Sequence, residues 1–152
     1  MYGSDRPYNH EDFAISIIER HMEKSKIDIK NAQVIISGGY GVGSRENFNL
    51  LFDLADVLGA QVGASRAAVD AGFVEHERQV GQTGITVRPK LYIACGISGA
   101  VQHRAGMDQS AQIISINTDI NAPLNHIADF TIVGNVADVI PKMIKYYKKN
   151  SK

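Results

Sequence analysis

Short apolar segments alternate with helical segments along most of this 152-residue chain. Five of the apolar segments are predicted as strands, at 34–36, 61–63, 91–94, 113–117 and 130–133. Strands that are apolar throughout and alternate with helices are typical of a parallel sheet covered on both faces. The sequence therefore predicts an α/β fold, a doubly wound and mainly parallel sheet with helices on both faces.

Apolar periodicity predicts helices at 10–24, 44–58, 67–71, from 98 onward, and at 136–148. Asn9 and Ser44 are each suited to cap the helix that follows, and Gly59 is suited to end the helix that Ser44 begins. We interpret residues 1–31 as a linker with an N-terminal helix, and residues 32–152 as one globular domain.

The charge balance argues against several classes of partner. Lys and Arg together number 16, as do Asp and Glu, so the net charge is zero, which does not favour nucleic acid. The lysines of 142–152 fit a solvated helix end, because cations suit a helix C-terminus. Residues 1–10 are polar, and no apolar run could span a bilayer. We expect no nucleic-acid partner, no membrane insertion and a cytoplasmic location; a mitochondrial protein that had lost its targeting sequence would look the same.

The reactive side chains show no pattern of a metal centre or of a hydrolase. Cys95 is the single cysteine and lies in an apolar segment, which favours a buried core thiol. The five histidines have no metal-ligand spacing with cysteines or acids, and no Ser/His/Asp arrangement is present. We therefore expect no metal ion and no hydrolase.

Three glycine-rich turns lie close together, at 63–72, 79–84 and 96–103. Glycines let backbone N–H groups approach a ligand closely. Each turn also contains side chains that can form hydrogen bonds, such as Arg66, Thr83 and His103. A packed core does not need so many hydrogen-bond donors on adjacent turns, whereas a large, polar, anionic cofactor does need them.

A partial dinucleotide fingerprint follows the first predicted strand. Gly39 and Gly41 match its first two glycines, but Ser44 stands where the third is expected. The acid that would bind the ribose of NAD is absent about twenty residues later. Arg66 stands there instead, so one interpretation is a site in which Arg66 binds the 2′-phosphate of NADP. Another is a turn whose glycines serve only to make it tight. Arg66 could also simply pair with Asp70, four residues on.

The motifs in their order resemble a known family. Residues 63–72, 79–84, 91–107 and 116–119, with Ala122-Pro123, are similar to the C-terminal FAD-binding domain of the electron transfer flavoprotein alpha subunit. The likeness covers about residues 32–147. It implies a Rossmann-like domain that holds FAD and carries electrons from dehydrogenases, such as the acyl-CoA dehydrogenases of fatty acid oxidation, to an acceptor.

The resemblance implies this set of cofactor-binding residues: Ser65, Arg66, Val80, Gly81, Gln82, Thr83, Ser98, Gly99, Ala100, Val101, Gln102, His103, Asn117 and Asn135. Arg66 would lie against the flavin ring, Thr83 would place its hydroxyl near flavin N5, and His103 would bond the O2 side. Residues 98–102 would bind the pyrophosphate and ribityl groups, and Asn117 the adenosine half. These roles make Arg66, Thr83 and His103 the residues that tune the flavin.

The resemblance also implies a heterodimer with a beta subunit, which binds AMP or a second flavin that permits electron bifurcation. The chain departs from the family at Tyr40, where arginine is frequent, and at Asn135, where aspartate is frequent. Residues 1–31 cannot supply the family's N-terminal domain, so we expect either an isolated FAD-binding domain or a truncated piece of a longer protein. An NAD(P)-binding oxidoreductase domain and a cofactor-free interaction module on the same fold remain the alternatives.

Overall fold

A computed structural model describes residues 28–150 of the chain. Its sheet has five strands: β1 (Val34–Gly38), β2 (Gln61–Ala64), β3 (Leu91–Cys95), β4 (Gln112–Asn117) and β5 (Phe130–Val133). The helices are α1 (Arg45–Leu58), α2 (Arg66–Asp70), α3 (Val101–Ala105) and α4 (Val136–Asn150). Short 3-10 turns lie at Tyr40–Val42, His76–Arg78 and Pro123–His126. The predicted helix at 10–24 lies outside the described residues.

The strands are ordered β2-β1-β3-β4-β5, and every neighbouring pair is parallel. Ile36 lies opposite Val62 on one side and Ile93 on the other. The chain therefore leaves β1 toward one edge of the sheet and returns across it to β3. This order makes the gap between β1 and β3 the topological switch point of a doubly wound sheet, and it confirms the predicted fold class.

Local chemistry at both ends of α1 explains its bounds. The Ser44 hydroxyl accepts a hydrogen bond from the Asn47 backbone N–H at 3.0 Å, as an N-cap does. Gly59 ends the helix with φ +67°, a left-handed conformation that suits glycine. Phe48 and Leu51 on this helix are fully buried. The helix predicted from the Ser44 cap and the Gly59 stop is confirmed.

The core consists of two apolar layers, one on each face of the sheet. The first layer packs α1, α2 and α4 against alternate strand residues such as Ile36 and Ile93. The second layer includes Ile29, Tyr92 and Met107. Among residues 28–150, one face is covered mainly by helices, whereas the other is covered mainly by loops and the short α3. Val80 and Ile97, from the loops after β2 and β3, pack in the second layer.

Two predicted elements differ from the structure. The helix expected from Ser98 begins only at Val101, because Gly96 and Gly99 have positive φ angles of 65° and 95°, which no α-helix contains. Strand β5 lies where it was predicted, but all four of its residues are exposed, with Phe130 at 61%. It is an edge strand, and in the described part of the chain it is not covered by helices on both faces as the rest of the sheet was predicted to be.

Candidate functional site

A cleft of about 590 Å³ opens at the carboxyl edge of the sheet, above the switch point between β1 and β3. Its lining comprises Tyr40, Gly41, Ser65, Arg66, Ala67, Gln79, Val80, Gly81, Gln82, Thr83, Gly96, Ile97, Ser98, Gly99, Ala100, Gln102, His103 and Asn117. The loops after β1, β2 and β3 contribute to it, as does the last residue of β4. Ligands of open α/β sheets bind in this position, and the volume lies within the range of cofactor sites.

Close backbone contacts join two of the turns that border the cleft. The Gly41 backbone N–H donates to the Gly96 carbonyl at 3.0 Å, which holds the turn after β1 against the turn after β3. A Cβ added at Gly41 would lie 2.9 Å from Gly96 Cα, and one at Gly39 would collide with the Gly96 carbonyl oxygen. Larger residues there would push the two turns apart and fill the crevice.

Arg66 begins α2 at the rim of the cleft. Its guanidinium Nε lies 3.6 Å from Asp70 Oδ2, and both side chains are about 70% exposed. The ion pair considered from the sequence is therefore present, and Arg66 lines the cleft as well. An exposed pair of this kind contributes little to stability, about 0.3 kcal/mol. Arg66 can consequently turn toward an anionic or aromatic ligand at small cost.

The loop 79–85 presents Thr83 to the cleft. The side-chain amide of Gln79, which is buried, donates from Nε2 to the Thr83 hydroxyl oxygen at 3.1 Å. Because a hydroxyl has one proton and two lone pairs, this bond leaves the Thr83 proton free for a ligand. The backbone fixes the loop, since Gln82 N–H donates to the Gln102 carbonyl at 2.8 Å. Gly106 packs so closely on Gly81 that an added Cβ would lie 2.5 Å from Gly81 Cα.

His103 is buried at the wall of the cleft, with 5% of its surface exposed. Its Nε2 lies 2.9 Å from the hydroxyl of Tyr92, a fully buried residue of β3. Its Nδ1 is buried, and the Val80 backbone lies close enough to oppose part of the effect of burial on the His103 pKa. Burial lowers the pKa of His103 to about 4, so the imidazole is neutral at neutral pH. His103 therefore lies at the cleft as a neutral side chain rather than as a positive charge.

The segment from Gly96 to Gln102 forms the adjoining wall. The Arg104 guanidinium donates from Nε to the Gly99 carbonyl at 2.9 Å, and the Ser98 carbonyl accepts from Leu124 N–H at 2.9 Å. Asn117, at the end of β4, donates from Nδ2 to the Ile97 carbonyl at 3.2 Å. These contacts give the segment a fixed path along the length of the cleft.

The charges of the lining favour an anionic ligand. Arg66 is the one charged side chain among the lining residues, and no acidic side chain is among them.

Within the described part of the chain, no three His, Cys, Asp or Glu side chains could together hold a metal ion. Cys95 is fully buried, and burial raises the pKa of its thiol to about 12, as expected of a core residue. No helix of residues 28–150 is long and apolar enough to cross a membrane.

Twelve of the fourteen predicted cofactor-binding residues line the cleft together. Val101 and Asn135 are not among its lining residues. The Asn135 side chain instead accepts a hydrogen bond from Ala137 N–H at 2.8 Å at the start of α4. Gln79 and Tyr40 line the cleft but were not predicted as binding residues. The sequence offered a signal for Gln79, because it opens the glycine-rich turn that contains Thr83.

A donor-rich cleft with one cationic and no acidic lining side chain, at the switch point of a parallel sheet, defines a nucleotide-cofactor-binding α/β domain. Comparison with known families makes the assignment specific. The chain belongs to the family of electron transfer flavoprotein FAD-binding domains, whose family model matches residues 28–108. The family match supports FAD as the cofactor over the nicotinamide alternative.

Curated relatives agree with the family. The chain is 51% identical over 146 residues to the electron transfer flavoprotein subunit alpha of Thermoanaerobacterium thermosaccharolyticum, covering 95% of this chain and 44% of the relative. It is 55% identical over 127 residues to Protein FixB of Clostridium saccharobutylicum, with 84% and 38% covered. For the mitochondrial alpha subunit of Dictyostelium discoideum the identity is 44% over 161 residues, with 97% and 45% covered. The chain thus spans less than half the length of these relatives.

Proposed function

We propose that this chain holds FAD in the cleft between β1 and β3 and serves as the electron-carrying domain of an electron transfer flavoprotein. The observation that carries the proposal is the convergence of three loops on one cleft. Loop 79–85, segment 96–102 and the start of α2 supply donors and one cation without an opposing acid in the lining. FAD supplies the electron chemistry when bound, and the protein supplies binding, orientation and a tuned electrostatic setting.

The residues divide the work along the cleft. Arg66 and Thr83 face the proposed position of the flavin ring from opposite loops, and His103 lies as a neutral side chain toward its O2 side. Donors and a cation around the ring favour added electron density, since the site is poorly solvated. Residues 98–102 offer backbone N–H groups and short polar side chains for the pyrophosphate. Asn117 would serve the adenosine half.

Purified protein tested for flavin separates this function from its competitors. We expect flavin absorbance in the protein as isolated, or its appearance after FAD is added and excess is removed. Ser98→Asp should weaken FAD binding at least tenfold, because it places a carboxylate beside the proposed pyrophosphate position. Thr118→Asp is the matched control, since Thr118 is exposed and outside the lining. A protein that binds NADP but not FAD, or that binds neither, would refute the proposal.

The whole electron transfer flavoprotein would include a beta subunit and would accept electrons from a dehydrogenase. We propose that this domain works beside such a beta subunit and receives electrons from an acyl-CoA dehydrogenase or a related flavin dehydrogenase. The test is to mix the FAD-loaded chain, with and without a co-expressed beta subunit, with dehydrogenase and substrate. Bleaching of the flavin absorbance in the complex is expected. Absence of bleaching with every dehydrogenase class tested would contradict the partner assignment.

A further inference from the structure

Arg104 is a half-buried cation that lies outside the lining of the cleft. Its guanidinium makes no ion pair with a described acidic residue, and its Nε donates to the Gly99 carbonyl at 2.9 Å. We propose that Arg104 is a positioning residue, which orders the segment 96–100 before FAD binds and directs the Ala100 N–H toward the pyrophosphate. The inference rests on the proposed function, because it deepens the part assigned to that segment.

The segment 96–100 has few conformational limits of its own, because two of its five residues are glycines. Gly96 has a φ of 65° and Gly99 a φ of 95°. Glycine adopts positive and negative φ about equally well, and it loses more conformational freedom on ordering than any other residue. Order in this segment therefore has to come from contacts with other parts of the chain.

Two residues outside the cleft lining hold successive carbonyls of the segment. The Leu124 N–H donates to the Ser98 carbonyl at 2.9 Å, and the Arg104 guanidinium holds the carbonyl of the next residue, Gly99. Ser98 and Gly99 line the cleft, whereas Leu124 and Arg104 do not. The Leu124 contact is made by the backbone and does not depend on the side chain. The contact of Arg104 is made by a side chain, so a substitution can remove it.

The bond from Arg104 also sets the direction of the next N–H group. The peptide between Gly99 and Ala100 is trans, so its N–H points away from its carbonyl oxygen. Because Arg104 lies outside the lining, the Gly99 carbonyl faces away from the cleft and the Ala100 N–H faces it. This N–H donates to no acceptor among the described residues. A phosphate oxygen of the cofactor is an acceptor that suits it.

Arg104 can act on FAD through its charge as well as through this hydrogen bond, and salt separates the two effects. A guanidinium remains protonated at neutral pH, so its charge attracts a phosphate. Such attraction is screened beyond about 10 Å at about 0.1 M salt and beyond about 3 Å at about 1 M. A direct hydrogen bond within the protein is not screened in this way. High salt therefore removes most of the charge effect and leaves the positioning effect.

FAD titration of the full chain measures the positioning effect. Arg104→Leu removes the guanidinium, and Arg88→Leu, the matched control, removes an exposed guanidinium that lies outside the cleft lining. We expect Arg104→Leu to weaken FAD binding about fivefold, as ordering one further residue on binding does. This loss should persist at about 1 M salt, whereas Arg88→Leu should keep the wild-type affinity. A loss that disappears at high salt would overturn the proposal, because charge alone would then explain it.

Nuclear magnetic resonance relaxation of the cofactor-free, ¹⁵N-labelled chain measures the order of the segment without FAD. We expect backbone order parameters of about 0.85 at Gly99 and Ala100 in the wild type, as in rigid backbone, and below about 0.6 in Arg104→Leu. The amide of Ala94, within β3, should keep its wild-type value in the variant. Wild-type values below about 0.6 at Gly99 and Ala100 would overturn the proposal, even if Arg104→Leu failed to fold.

Failure of the proposed function would give a different result. The wild type would then bind no FAD, while the order of the segment could still be measured with and without the guanidinium. If the wild type binds FAD and a folded Arg104→Leu variant binds it equally well, the inference about Arg104 is wrong and the proposed function stands.

Discussion

Burial of His103 should make the stability of the cofactor-free fold depend on pH. The pKa of His103 falls from 6.5 to about 4 because its side chain is removed from water. Between these values the unfolded chain binds a proton that the folded chain does not bind. Stability contributed by the neutral histidine is thus fully present above about pH 6.5 and is lost as the pH falls toward 4. The shift corresponds to a loss of about 3 kcal/mol in all, of which ~2 kcal/mol is lost by about pH 5.

The assay is urea denaturation of the cofactor-free protein at a series of pH values between about 7 and 5, where most carboxylates remain ionised. His103→Gln removes the ionisable group and keeps a polar side chain of similar size. We expect the wild type to lose ~2 kcal/mol more than this variant between the two limits. His126→Gln is the control, because His126 is exposed and should leave the wild-type dependence intact.

Parallel curves for the wild type and His103→Gln would refute the reasoning. They would mean that His103 titrates alike in the folded and unfolded states, and thus that water reaches its ring. In that case the histidine would approach the cofactor as a partly charged group at mildly acidic pH.

Three further substitutions test other parts of the structure. Ser44→Ala removes the α1 cap and should cost about 1 kcal/mol in the free energy of unfolding; an unchanged Tm would contradict the cap. Arg66→Ala should lower the free energy of unfolding by less than ~0.5 kcal/mol, because its ion pair is exposed. The same substitution should weaken FAD binding, whereas Asp70→Ala should not. Equal losses of FAD affinity in titrations of the two variants would contradict the proposed contact. Gly106→Ala should displace Gly81 at a cost of ~1–3 kcal/mol, measured by urea denaturation, and wild-type stability would show that the loop yields.

Much of the fold could be predicted because its strands are local apolar runs. The predicted strand at 130–133 matches β5 at both ends, and the others differ by one or two residues. The start of α3 could not be predicted in this way, because a positive φ at Gly99 is set by packing. A Cβ at Gly99 would meet the Leu124 backbone, which is distant in sequence. Exposure of β5 also depends on its edge position, which its apolar composition does not reveal.

Residues of the candidate site could be predicted where they belong to a sequence motif. They could not be predicted where only the fold brings them together. Arg66, Thr83 and His103 were found because each lies on a glycine-rich turn, and the structure gathers all three at one cleft. Tyr92 gave no signal, since a tyrosine in an apolar strand reads as a core residue. Its partner on α3 is eleven residues away, and only the placement of α3 over that face joins them.

The close packing of Gly81 on Gly106 has a consequence for how quickly a cofactor can be accepted. A loop that must become ordered on binding lowers affinity and slows association. Here the Gln82 backbone N–H already fastens the loop 79–85 to α3, and the Val87 N–H, just beyond the loop, donates to the Gly106 carbonyl that follows α3. The conformational entropy of this loop is lost when the chain folds, and not when the cofactor binds. The cleft should therefore be a preformed binding site that needs no loop closure. The rate of cofactor release should then be set by the contacts of the cofactor and not by opening of the loop.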